Sequence, residues 1–200
     1  MIALKEKYLL TPEEYLKFEE SSPIKNEYIN GKIFVRAEVS DRENIIMGNL
    51  AILIRNHLRG NPCRVYFADL KTRIEAKKRF YYPDLLVTCD RRDRETPTYK
   101  CFPKLIIEVL SDSTEARDRG DKFHDYQTLD SFEEYVLVNS KRQQVEIFRR
   151  QETNNWQFST YHPENPRFTL DSIGLEIAIA DLYEDVEFEN AIESNESDNN

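Results

Sequence analysis

Six residues near the middle of the chain, Leu105-Ile106-Ile107-Glu108-Val109-Leu110, restrict the fold more than any other stretch. The run is short, rich in branched side chains, and bounded by Pro103 before it and Ser111-Asp112-Ser113 after it. That pattern predicts a strand buried on both faces, and such a strand requires a sheet covered on both sides. Glu108 lies inside it. An ionised carboxylate in an apolar interior costs on the order of several kcal/mol unless a cation or hydrogen-bond donors meet it. Glu108 therefore has a partner, lies where the sheet opens to solvent, or holds a metal. A structural ion pair with Lys71 or Arg73 would satisfy it equally well.

The segments around this strand supply the cover. Leu10-Thr11-Pro12-Glu13-Glu14-Tyr15 predicts a helix start: Thr11 caps, Pro12 suits the first turn, Glu14 completes a capping box, and Leu10 staples to Tyr15. This helix should run to about Glu20. Asn30-Gly31, between Glu27-Tyr28-Ile29 and Lys32-Ile33-Phe34-Val35, predicts a tight hairpin. From Arg42 to Leu58 the apolar period becomes helical, with Ile46, Leu50, Leu53, Ile54 and His57 or Leu58 on one face. Three strand-like runs follow, near Arg64 to Ala68, Lys71 to Glu75 and Phe80 to Val87. The charged segment Asp90 to Lys100 reads as a solvated loop. After the central strand come a helix around Ala116 to Thr128 and a strand at Glu134 to Val138. An antiparallel ribbon at 143–149 and 156–161, a strand at Gly174 to Ala180 and a helical turn at Asp181 to Tyr183 complete the chain. The expected class is α/β: a central mixed β-sheet flanked by helices, with an N-terminal helix and hairpin and C-terminal antiparallel strands.

Residues 1–184 are expected to form a single domain, and 185–200 an acidic, disordered tail. The net charge of −9 owes much to that end. Residues 181–200 carry eight acids and no base, so the body before them is nearly neutral. Overall acidity therefore does not exclude a nucleic-acid partner, although no strong basic patch announces one. No apolar run approaches a membrane span, and the charged N-terminus does not resemble a secretory signal. Cys63, Cys89 and Cys101 are odd in number and lack CxxC spacing, which predicts reduced thiols and a cytoplasmic location.

The candidate chemistry rests on acids and one lysine. Asp84 follows Tyr81-Tyr82-Pro83 and opens Leu85-Leu86-Val87; alone, Pro-Asp is simple punctuation at a strand end. An aspartate at one strand and a glutamate inside the next bring two carboxylates to one end of a sheet. Two carboxylates and a carbonyl suit Mg²⁺ or Mn²⁺, which activates water and neutralises charge on a phosphate. A lysine nearby would hold or deprotonate the attacking water.

YYPDLLV, PKLIIEVLSDST, DRGDKFHDY and EEYVLVN, in helix, three-strand, helix, strand order, resemble the PD-(D/E)XK nuclease superfamily with its restriction-endonuclease-like core. The set is similar to the Uma-two family of bacterial endonucleases, and the resemblance spans about Thr11 to Leu182. It implies metal ligation by Asp84, Glu108 and the backbone carbonyl of Val109. The superfamily lysine two residues after the glutamate is Leu110 here, and the resemblance implies that Lys122, on the next helix, replaces it. The plain alternative for Lys122 is a surface pair with Asp118, four residues back. Glu27 sits where the family tends to carry an acid, but an exposed strand position is the simpler expectation. Asn44 stands where relatives have histidine; it binds water or phosphate without titrating. Asp118 supports Lys122 or solvates the helix. His57, His124 and His162 show no metal spacing.

Three readings follow. The first is a Mg²⁺- or Mn²⁺-dependent endonuclease acting on DNA, with two copies paired to cut both strands and the 143–161 ribbon as an available edge. The second is an inactive nucleic-acid-binding or protein-interaction module on a nuclease fold, which Leu110 and Asn44 keep open, while the Asp84, Glu108 and Lys122 triad favours the enzyme. The third is an α/β domain whose polar cluster is structural.

Overall fold

The computed structural model describes residues 9–152 and 155–188. Its first helix, α1 (Pro12–Ser21), starts with the predicted reciprocal capping box: Thr11 Oγ1 accepts from Glu14 N–H, and Glu14 accepts from Thr11 N–H at 2.7 Å. Strands β1 (Asn26–Ile29) and β2 (Lys32–Val35) pair across Asn30-Gly31, and both turn residues take positive φ. Gly31 is required there, because a Cβ would stand 2.7 Å from Leu9 Cβ. Helix α2 (Asp41–His57) buries Ile46, Leu50, Ala51 and Ile54. Leu58 continues that face, whereas His57 is exposed and its Nε2 lies 2.8 Å from the Ile173 carbonyl oxygen.

Strands β3 (Arg64–Phe67), β4 (Lys71–Ile74), β5 (Arg79–Tyr81) and β6 (Leu85–Thr88) follow. The expected third run is thus two strands, and they belong to different sheets. Tyr82-Pro83-Asp84 is the crossover, where proline has no N–H to extend either ladder. A short strand, β7 (Tyr99–Lys100), then precedes the central β8 (Leu105–Leu110), which is buried at every position. The helical segment after it has three parts: α3 (Glu115–Arg117), a π-helical turn at Asp118–Lys122, and α4 (Phe123–Tyr126). Strands β9 (Glu134–Asn139), β10 (Val145–Glu152), β11 (Asn155–Tyr161), β12 (Arg167–Leu170) and β13 (Leu175–Ala178) lead to α5 (Ile179–Leu182). Of these, β12 was not expected from sequence.

The main sheet has the order β11-β10-β9-β8-β6-β3, with β8 and β9 parallel and the other pairs antiparallel. A second sheet has the order β2-β1-β5-β4-β7, and β12-β13 form a third. Helix α2, the β12-β13 hairpin and α5 cover one face of the main sheet through Leu105, Ile107 and Val109. The opposite face packs Ile106 and Leu110 against Tyr126, Phe132 and Tyr135. Strand alternation puts Glu108 on this second face, beneath the π-helical turn.

Two expectations need correction. Cys63 and Cys89 form a disulfide, and Cys101 is the free thiol. Sequence spacing does not reveal the pairing, because the register of β3 against β6 sets it: Arg64 faces Thr88, which puts Cys63 opposite Cys89. The segment from Asp90 to Lys100 is not simply solvated. Asp93 is buried and accepts from Thr88 Oγ1, Cys101 N–H and Phe102 N–H at 2.6–3.1 Å, which folds the loop over its own carboxylate. After α5, Val186 and Phe188 pack on the core. The acidic residues from 189 onward lie outside the described residues. Among the described residues, no helix is long and apolar enough to cross a membrane.

Candidate functional site

The crossover between the two sheets and the end of β8 meet at one cavity of about 140 Å³. Asp84 reaches it from the crossover, with Oδ2 accepting from the Val109 N–H at 2.8 Å and Oδ1 held by Arg36 at 2.7 Å. Glu108 reaches it from β8; its Oε1 lies 3.1 Å from Lys122 Nζ and 3.3 Å from the Tyr126 hydroxyl, which donates to it. The partner of this carboxylate is therefore Lys122, not Lys71 or Arg73. Lys71 donates to the Tyr82 hydroxyl, and Arg73 pairs with Glu75.

Lys122 is buried and surrounded by acid. Besides Glu108, its Nζ lies 2.9 Å from Asp118 Oδ1 and 3.8 Å from Glu27 Oε1. The pair with Asp118 exists, as the i,i+4 spacing allows, but both groups are buried. The π-helical turn carries both residues, and the Tyr135 hydroxyl fastens it by donating to the Asp118 carbonyl at 3.0 Å. Single π turns inside helices recur at functional sites because they re-aim side chains over one turn.

Glu27 is not an exposed strand residue. It is buried, accepts from the Tyr82 N–H at 3.1 Å, and pairs with Arg117 at 2.5 Å. It thereby ties the crossover to β1 and the helical segment to both. Asn44 is not brought to the cavity: it is exposed in the first turn of α2, and Glu43 of the same helix lines the wall instead. Arg36 and Arg117 were not foreseen. Nothing in sequence distinguishes Arg36 from other surface arginines after a hairpin, and Arg117 is one of several charged residues in EARDRGDK with no local signal of its own.

Electrostatics separate these groups. Burial pushes the Glu108 carboxyl well above the usual carboxylate range, and Lys122 only partly opposes this. Asp84 is raised by burial too, against the lowering effects of the Val109 N–H, Lys122 and Arg36. Burial works to lower Lys122, but Glu108, Glu27 and Asp118 outweigh it and hold the ammonium above its ordinary value. Lys122 is thus the group that stays charged, and Glu108 is the one whose ionisation is costly.

The donor chemistry fits a hard cation. Glu27, Glu38, Glu43, Asp84, Glu108 and Asp118 line the cavity against three bases, Arg36, Arg117 and Lys122. Among the described residues, no three His, Cys, Asp or Glu side chains gather as a metal-holding group. A set of two carboxylates with a backbone carbonyl does not require three, and oxygen donors with excess negative charge match Mg²⁺ or Mn²⁺.

Comparison with known proteins agrees with this architecture. A crystal structure from Anabaena variabilis ATCC 29413, described as "a putative nuclease belonging to DUF820", superposes with a TM-score of 0.68. It is 20% identical, and the match covers 87% of this chain and 97% of that one, which establishes a shared fold. Two Synechocystis sp. proteins, each described as uncharacterized, are similar in sequence. One, slr1290, is 37% identical over 179 residues, covering 90% of this chain and 94% of that protein. The other, sll1609, is 28% identical over 159 residues, covering 78% and 90%. The model of the Uma2 family, described as "Putative restriction endonuclease", matches residues 12–180, and the chain belongs to that family.

Proposed function

We propose that this protein is a metal-dependent endonuclease that hydrolyses DNA phosphodiester bonds. The observation that carries the reading is the meeting of Asp84, Glu108, Val109 and Lys122 on one cavity, from segments far apart in sequence. Asp84, Glu108 and the Val109 carbonyl would hold Mg²⁺ or Mn²⁺. When bound, such a cation lowers the pKa of a coordinated water and neutralises charge growing on the phosphate. Lys122, kept protonated by its acidic neighbours, positions the attacking water and stabilises negative charge rather than taking a proton. Asp118 and Glu27 orient that ammonium, and Tyr126 fixes the Glu108 carboxylate by its hydroxyl. Asn44 does not line the cavity and is given no role in this proposal. Each chain contributes one such cavity, so cutting both strands calls for two copies.

The test is calorimetric titration with Mn²⁺ beside cleavage of single- and double-stranded DNA, for wild type, Asp84→Asn and Glu108→Gln. Wild type should bind metal and cut, and each variant should lose both while keeping a native circular-dichroism spectrum. Absence of metal binding and of cleavage in wild type would reject the reading in favour of a binding module on the same fold.

A further inference from the structure

Arg36 stands one residue past β2, where its backbone N–H donates to the Lys25 carbonyl at 2.9 Å and closes the base of the hairpin. Its side chain lines the cavity and places the guanidinium 2.7 Å from Asp84 Oδ1. The other Asp84 oxygen is taken by the Val109 N–H. The three cavity cations are not equivalent. Lys122 is buried among three acids, and Arg117 is clamped to Glu27, which also holds the Tyr82 N–H. Arg36 alone of the three pairs with the crossover aspartate that is proposed to hold the metal.

A divalent cation and Arg36 would compete for the same oxygen, Asp84 Oδ1. We infer that Arg36 is a resident counter-ion of Asp84, that a divalent cation displaces it, and that the freed guanidinium binds a nucleic-acid phosphate. The inference rests on the proposed nuclease reading. The chemistry follows from the planar guanidinium, whose paired N–H donors match carboxylate and phosphate oxygens alike. Its other acidic neighbour is Asp69, 3.9 Å away and largely exposed, so solvent weakens that alternative. A phosphate at the cavity mouth, beside a newly bound cation, is the stronger partner.

Two consequences separate this from a structural ion pair. First, Arg36 lowers metal affinity in the free protein, since a cation must break the pair and then sit beside a positive charge. Second, metal and nucleic acid strengthen each other's binding by the same factor, because metal frees the group that phosphate captures.

The experiment is Mn²⁺ calorimetry on the full chain, without DNA, for wild type, Arg36→Gln and Arg36→Lys. Duplex binding is also followed by fluorescence anisotropy, metal-free and with Ca²⁺, over a salt series. In the absence of DNA, Arg36→Gln should bind Mn²⁺ roughly tenfold more tightly than wild type, the effect of one close charge pair. With Ca²⁺ its duplex affinity should fall below wild type, and the slope of log affinity against log salt should shrink by about one phosphate contact. Without metal the two proteins should bind duplex alike, because Asp84 then holds Arg36. Arg36→Lys keeps the charge without the fork and should shift Mn²⁺ affinity in the same direction by less. Unchanged or weaker Mn²⁺ binding by folded Arg36→Gln, beside a wild type that binds Mn²⁺, overturns the role of Arg36 and leaves the nuclease reading standing. Failure of wild type to bind Mn²⁺ overturns both.

Discussion

Replacing Lys122 with methionine tests how the buried cluster is held. Methionine keeps much of the volume and removes the charge. In the native protein the ammonium faces Asp118 at 2.9 Å, Glu108 at 3.1 Å and Glu27 at 3.8 Å, and all three acids are buried. Glu27 keeps Arg117 and the Tyr82 N–H after the change. Among the described residues Glu108 then keeps the 3.3 Å bond from Tyr126, so the cost falls chiefly on Glu108 and Asp118. Breaking a buried pair from one side costs about 3–5 kcal/mol, because the remaining charge stays buried. For a chain of this size that lowers Tm by roughly 10 °C.

The loss should depend on pH with a definite sign. The folded-state pKa of Glu108 is already raised by burial, and removing Lys122 raises it further. A carboxyl raised on folding binds more protons in the folded state, so its penalty is absent below the unfolded value near 4.3 and grows as pH rises towards the folded value. The gap between Lys122→Met and wild type should therefore be widest near pH 8 and narrow towards pH 5. Adding Glu108→Gln should recover about 2 kcal/mol at neutral pH, since the buried charge is then gone. Urea unfolding at pH 5, 6.5 and 8 reads all three effects. A loss below about 1 kcal/mol, or one equal at every pH, would refute the buried-charge account.

Other expectations follow from the same contacts. The Cys63–Cys89 bond closes a separation of 26 residues, so Cys63→Ser should cost about 3 kcal/mol. Thiol titration of the unreduced, denatured chain should find one free cysteine, and a count of three would restore the expectation of reduced thiols. Thr11→Ala removes one side of the capping box and should cost about 1 kcal/mol in a denaturant titration, with Thr11→Ser near wild type. Gly31→Ala forces a side chain into a positive-φ turn against Leu9 and should lower stability by more than about 1 kcal/mol, read as a drop in the urea midpoint.

Sequence by itself determined the elements whose signals are local. Thr11 and Glu14 cap, Asn30-Gly31 turns, and α2 repeats its apolar residues at helical spacing; each pattern acts within a few residues and reappears in the fold. It also determined that Glu108 could not sit unaccompanied among apolar neighbours, because an ionised acid inside a buried strand needs a partner, an opening to solvent or a metal. Which partner it took was a matter of tertiary structure. The parity of β8 turns Glu108 towards the face under the π-helical turn, and only the docking of that turn brings Lys122 to it from 14 positions away. Similarly, the sequence run from Phe80 to Val87 reads as one strand, yet its two halves belong to different sheets, and Asp84 gains its place in the cavity from that division. The burial of Glu27, the pairing of Cys63 with Cys89 and the reach of Arg36 to Asp84 across 48 positions depend likewise on register and packing between segments distant in the chain. Pairwise contacts of that range leave no periodic trace in a single sequence, because nothing within either segment changes when the other is moved.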